Sequence, residues 1–127
     1  MSLNTFDNQD KTNERLIYSN EKLGKSIIFK RLGLRHGTYA AKNKGSNIYW
    51  ANPNIEYLYE EWNLVLEDYV NHKFYHFIIP ANSIPQNLIK LKNPNQIDLQ
   101  IMYNDINFTD SKSGISFVKW LVKTENY

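Results

Sequence analysis

The chain has no cysteine. Disulfides, thiolate metal sites and cysteine nucleophiles are therefore excluded. The absence fits a reducing compartment, so the expected location is the cytoplasm. No apolar run approaches the roughly 18 residues that cross a membrane, and no membrane partner is expected. The start of the chain is polar (Asn4, Asp7, Asn8, Gln9, Asp10), unlike a signal peptide. Arginine is scarce, with three against twelve lysines. That limits bidentate base readout, for which Arg is the leading residue. Acid is missing altogether between Lys22 and Lys44.

That acid-free stretch holds seven cations: Lys22, Lys25, Lys30, Arg31, Arg35, Lys42 and Lys44. Residues 1–50 carry nine Lys and Arg against four Asp and Glu, whereas residues 51–127 carry six against nine. The overall +2 conceals a dipolar chain, and such asymmetry points to a polyanion-binding surface. Seventeen asparagines beside the many lysines also fit AT-rich coding, which would raise both without any function. The length of 127 residues, with three Trp, nine Tyr and six Phe, is enough for one domain with a real core.

Residues 1–13 read as a flexible N-terminal arm and residues 14–127 as a single domain. Helix is expected from Glu14 to Leu32. Asn20 would cap its second piece, Gly24 would weaken its interior, and Gly33 would end it. Leu16, Leu23, Ile27, Leu32 and Leu34 are its expected buried positions. Residues 35–46 read as loop and 47–50 as a short strand. Residues 53–70 fit an amphipathic helix after Asn52 and Pro53, with Ile55, Leu58, Tyr59, Trp62, Val65, Leu66, Tyr69 and Val70 within about 140° of arc. Glu60, Glu61, Glu67 and Asp68 would then form its solvated face. A strand over 62–67, paired with 73–79, is the competing pattern.

Phe74 to Ile79 reads as a strand, 83–91 as a short helix, and 97–103 as a half-buried strand through Ile97, Leu99, Ile101 and Tyr103. Phe117 to Lys123 reads as the last strand, with Val118, Trp120 and Val122 on one face. Together these give an α+β fold: an N-terminal helical part, then a mostly antiparallel β-sheet.

Two motif fragments lack their partners. Gly24-Lys25-Ser26 resembles the end of a phosphate-binding P-loop, but Ser19 stands where that loop needs glycine. Arg35-His36-Gly37 resembles the signature of histidine phosphatases, yet no arginine follows Arg35 to clamp a phosphate. No family is recognisable in the chain. His72 and His76 lie on one face at a four-residue spacing and, with Glu67 or Asp68, could ligate zinc. Asp98, Asp105 and Asp110 are candidates for an acidic cluster, and Asp105 and Asp110 flank turn sequences where Asp serves as a backbone acceptor.

The basic segment carries the main expectation: a nucleic-acid-binding module, DNA or RNA, without catalysis, cofactor or metal. Lys25, Lys30, Arg31, Arg35, His36, Lys42 and Lys44 would contact phosphates, with Tyr39 and Trp50 as stacking groups. Two alternatives stand beside it. One is a protein-interaction domain, a homo-oligomer or part of a larger complex, using Tyr59, Trp62, Leu66 and Tyr69; burial of Trp62 would weaken it. The other is a metal-dependent hydrolase or nuclease built on His72, His76 and nearby acids.

Overall fold

The computed structural model describes residues 22–127. The expected arm over 1–13, the first helical piece with Leu16, and the Asn20 cap lie outside the described residues. The described chain holds one short helix and mostly antiparallel sheet.

Helix α1 spans Lys25–Leu32 and ends at Gly33, which adopts the left-handed conformation (φ 70°). Its N–H and that of Leu34 return to the carbonyls of Lys30 and Phe29. This is the glycine helix stop that the sequence predicts. Gly24 is not a helix-interior residue as expected. It precedes the first turn with φ 94°, which glycine alone adopts cheaply.

Eight strands follow: β1 (Thr38–Ala41), β2 (Ile48–Ala51), β3 (Trp62–Asp68), β4 (Lys73–Ile79), β5 (Leu91–Asn93), β6 (Gln96–Ile97), β7 (Leu99–Met102) and β8 (Leu121–Asn126). The main sheet has the order β1-β3-β4-β8. β1 runs parallel to β3, while β3–β4 and β4–β8 are antiparallel. β2–β7 and β5–β6 form two small antiparallel ribbons.

The amphipathic helix expected over 53–70 is absent. Only Ile55–Tyr59 turns, as a 3-10 segment capped by the Asn54 side chain on the Glu56 N–H (2.8 Å). From Trp62 onward the competing hairpin forms, pairing Trp62 with Ile79 through Asp68 with Lys73. The physical reason is two-sided burial. Every β3 residue except Asn63 is buried, so no polar face marks the strand.

Trp62, Leu64 and Leu66 face the larger core with Phe77, Ile79, Leu99, Ile101 and Phe117. Val65 faces the smaller core with Leu23, Ile28, Phe29 and Phe74. The Trp62 indole N–H donates to Thr38 Oγ1 (2.8 Å), which meets the cost of burying that group.

Two further expectations shift. Only Gln86–Leu88 is helical within 83–91. Val118–Trp120 is a 3-10 turn closed by the Trp120 N–H on the Phe117 carbonyl. Strand β8 therefore starts four residues late, at Leu121, and Val118 and Val122 are exposed. Gly37 is dictated by closeness: a Cβ there would stand 2.7 Å from the Asn63 carbonyl oxygen. Only glycine lets the chain turn into β1 so near β3.

Candidate nucleic-acid interface

α1 carries the first cations. Ile28 and Phe29 point into the smaller core, with Ile27, Leu32 and Leu34 packed at its margin. That docking leaves Lys25 and Lys30 exposed. Lys25 Nζ sits 5.2 Å from the Phe29 ring centroid, so its stem follows the helix. Arg31 is turned toward β8, where a guanidinium nitrogen lies 3.7 Å from Glu125 Oε1. It serves an ion pair as well as any phosphate. Arg35 and His36 are exposed in the bend between α1 and β1.

β1 and β2 carry the rest. Lys42 Nζ donates to the Asn43 carbonyl (2.9 Å) and lies 5.0 Å from the Tyr103 ring centroid. It thus braces the turn between β1 and β2, whereas Lys44 is exposed at the tip of that turn. Trp50 is 51% exposed while its neighbour Tyr49 is buried, as alternation along a half-covered strand requires. Trp50 is the one expected stacking group with an open ring. Tyr39 is committed elsewhere: its hydroxyl donates to Glu67 Oε1 (2.7 Å).

Two of the expected residues, Lys25 and Tyr39, meet in a cleft of about 260 Å³. Gly37, Asn52, Pro53 and Tyr57 also line it. The sequence did not single out Asn52 or Tyr57 for binding, nor Lys92, whose Nζ reaches Asn52 Oδ1 at 3.5 Å. No local motif marks them, because β5 comes beside residue 52 only through the tertiary fold.

The acids behave differently from the sequence expectation. Glu67 and Asp68 do not form a solvated helix face; they are 0% and 2% exposed. As consecutive strand residues they point to opposite sides of the sheet. Glu67 accepts from the Leu23 N–H (2.5 Å), the Gly24 N–H (3.1 Å) and the hydroxyls of Tyr39 and Tyr127. α1 has no cap of its own, since Gly24 has no side chain. The Glu67 carboxylate supplies that cap from β3, at the positive end of the helix dipole. Burial, and after it the bond to Glu67, pushes both tyrosine hydroxyls far above their ordinary range, so both remain donors.

Asp68 accepts from the N–H groups of Val70 and Asn71, the Asn71 side chain and the Tyr103 hydroxyl (2.9 Å). It thereby shapes the β3–β4 turn, in which His72 is left-handed (φ 53°). Asp110 is fully buried and accepts from the Gln100 N–H and from Ser113. Asp105 accepts from the N–H groups of Asn107 and Thr109, while Asp98 takes the Gln100 amide. Asp105 and Asp110 thus take the turn-acceptor roles that the sequence suggested, and among the described residues the three acids form no metal cluster.

Of the four residues expected at an aromatic interface, Trp62 and Leu66 are fully buried and Tyr69 is 8% exposed, whereas Tyr59 is 55% exposed. Among the described residues no three His, Asp or Glu side chains gather as a metal site. His72 lies in the β3–β4 turn against the Tyr127 ring, 5.6 Å between centroids. His76 lies on β4 with Nε2 2.8 Å from Asn63 Oδ1.

Burial, and secondarily the Lys123 charge, holds His76 below the ordinary imidazole range. The unfolded chain therefore binds its proton at a higher pH than the native one, so stability rises with pH across that window. Stability should fall as pH drops from neutrality through the ordinary imidazole value near 6.5. Melting temperatures at pH 7.5 and 5.5 test this. His76→Gln, which keeps a polar partner for Asn63, should flatten that slope; an unchanged slope assigns it to other groups.

Among the described residues no helix is long and apolar enough to cross a membrane. Comparison with protein-family models, with curated proteins and with solved structures finds no match.

Proposed function

We propose that this domain binds nucleic acid through phosphate contacts, without catalysing a reaction on it. One observation carries the reading. Residues 22–127 hold thirteen Lys and Arg against nine Asp and Glu, and three of those acids (Glu67, Asp68, Asp110) are buried and each accepts several hydrogen bonds. No Lys or Arg is buried among the same residues. Among the described residues the charges left unburied are therefore thirteen cations to six acids, about two to one.

Codon bias explains many lysines, but it does not explain withdrawing acids into the core. Lys25, Lys30, Arg35, His36 and Lys44 are the exposed phosphate-contacting groups in this reading. Trp50 offers an open ring for a base. Arg31 and Lys42 contribute charge while also serving contacts within the chain. The lack of cysteine suits a cytoplasmic setting for such a module.

Binding of labelled duplex DNA, single-stranded DNA and RNA across a salt series tests it. Each phosphate contacted on duplex DNA contributes a slope of about −0.9 in log affinity against log salt. Four to six contacts therefore predict roughly a 100- to 2,000-fold loss between 50 and 200 mM salt. Absence of binding to all three probes at low salt would sink the reading.

A further inference from the structure

The main sheet ends at β8. At its opposite edge β1 meets β2, through the Lys42–Tyr49 bridge and the Asn43 N–H on the Ile48 carbonyl. Among the described residues no strand pairs with the outer edge of β8. Val122, Lys123, Thr124 and Asn126 are exposed there. The ladder fixes which backbone groups that edge presents. Asn126 stands opposite Lys73, so Tyr127 stands opposite His72, and the Tyr127 N–H donates to the His72 carbonyl (2.8 Å). In an antiparallel pair such bonds fall on every second residue. Lys123, Glu125 and Tyr127 therefore turn their backbone groups toward β4, while Thr124 and Asn126 turn theirs outward.

An open edge of this kind is a template for another strand, and its side chains decide which strand. Glu125 lies opposite Phe74, a residue of the smaller core, and Lys123 lies opposite His76. Both charges are thus on the sheet face that carries α1. Lys123 Nζ is 3.3 Å from Glu125 Oε2, and an Arg31 nitrogen is 3.7 Å from Glu125 Oε1.

We propose that β8 pairs antiparallel with β8 of a second copy of this chain, about a two-fold axis at Thr124. Symmetric registers that use the outward groups centre on Lys123, Thr124 or Glu125; a centre nearer either end of β8 shortens the overlap. Centring on Lys123 sets lysine against lysine, and centring on Glu125 sets glutamate against glutamate. Like charges directly opposite each other are destabilising. Centring on Thr124 sets Lys123 of each copy against Glu125 of the other, so the charges alternate in sign around the axis. Thr124 then exchanges its N–H and C=O bonds with Thr124 of the second copy, flanked on each side by Val122 against Asn126. The strand is self-complementary, as a two-fold interface requires. The irregularity beside His76 and Phe77 and the charges hinder pairing with other strands. The axis runs perpendicular to the sheet, so both α1 helices lie on one side of a continuous sheet.

A single strand from each copy makes a small interface, so a weak dimer is expected, with a dissociation constant of about 10 μM. Sedimentation equilibrium of the full chain from about 1 to 300 μM tests this, and the wild type should pass from monomer to dimer across that range. Thr124→Pro removes an outward N–H and spares the β4 ladder. It should raise the dissociation constant at least about 10-fold. Lys123→Glu and Glu125→Lys each turn both cross pairs into like charges, and each should weaken self-association by about 10- to 100-fold. Mixed in equal amounts, those two variants are complementary again and should form a mixed dimer of wild-type affinity. Only the Thr124 register gives both the loss in each variant and the recovery in the mixture.

Melting transitions identify any variant that fails to fold, and the remaining variants then decide. A wild-type chain that stays monomeric throughout overturns the proposal. A dimer of unchanged affinity in folded Thr124→Pro also overturns it, because the contact then lies elsewhere. A dimer weakened by neither charge variant overturns the register. The measurement needs no nucleic acid, so its result stands apart from the phosphate-binding reading.

Discussion

Glu67→Ala should cost about 3–5 kcal/mol of folding stability, the range for stripping one partner from a buried charged network. The substitution removes an acceptor and leaves four donors facing a void: the N–H groups of Leu23 and Gly24 and the hydroxyls of Tyr39 and Tyr127. Each buried donor without a partner carries a desolvation penalty of about 1–3 kcal/mol, relieved where water enters. For a domain of this size the melting temperature should drop by roughly 10–20 °C.

Glu67→Gln should fall between the two, because its amide keeps one acceptor and turns a donor toward donors. Tyr127→Phe removes a single hydroxyl while keeping the ring, and should cost about 1–2 kcal/mol. Urea and thermal unfolding measure all three. A loss below about 1 kcal/mol for Glu67→Ala would show that water replaces the carboxylate at no great cost. Amide exchange should also rise first in α1, whose N-terminal cap is the group removed.

The second large effect concerns affinity. Replacing Lys25, Arg35 and Lys44 together by Gln should weaken duplex DNA binding by about 500-fold at 0.1 M salt. Three lost phosphate contacts reduce the slope of log affinity against log salt by roughly 2.7, and at 0.1 M each contact is worth nearly tenfold. These three are exposed and lie on separate elements: the start of α1, the bend after it, and the β1–β2 turn. Surface substitutions of this kind usually change stability by no more than about 0.5 kcal/mol, so folding should be unaffected.

Arg31 is left out of the set because its pairing with Glu125 would confuse binding with stability. Binding that survives intact, with an unchanged slope, would mean that the phosphates lie elsewhere.

Local signals in the sequence located many elements. Gly33 stops α1 where a left-handed residue is needed, and β4 ends before Pro80 as its composition implied. The alternation of Ile97, Leu99 and Ile101 matches their burial. What misled was β3. With Trp62, Leu64 and Leu66 on one side and Val65 and Glu67 on the other, both faces are covered, so the pattern satisfied a helical period as well as a strand.

The error then propagated to the acids. On a helix Glu67 and Asp68 belong to the wet face, whereas in a doubly covered strand they must be buried. Neither residue is near in sequence to the groups that satisfy it, apart from the turn closed by Asp68. In the basic segment Lys25, Lys30, Arg35 and Lys44 are exposed, whereas Arg31, Tyr39 and Lys42 make contacts within the chain, and residues 38–41 of the expected loop form β1. The sequence could not show the approach of Lys92 to Asn52, which exists only once β5 comes back beside residue 52.

The Glu67 network also has a bearing on how the protein is made. Its carboxylate lies 44 residues from Leu23 and 60 from Tyr127, so its donors converge only by closing long loops in both directions. The β3–β4 hairpin is local and closes early, but it presents a bare acid on one face. During synthesis the donors at Leu23, Gly24 and Tyr39 emerge before Glu67, so α1 can dock on the hairpin early, but the carboxylate keeps part of its hydration until β8 brings the Tyr127 hydroxyl to it. Until then the smaller apolar core lacks the packing of Tyr127 and is a target for chaperones and proteases.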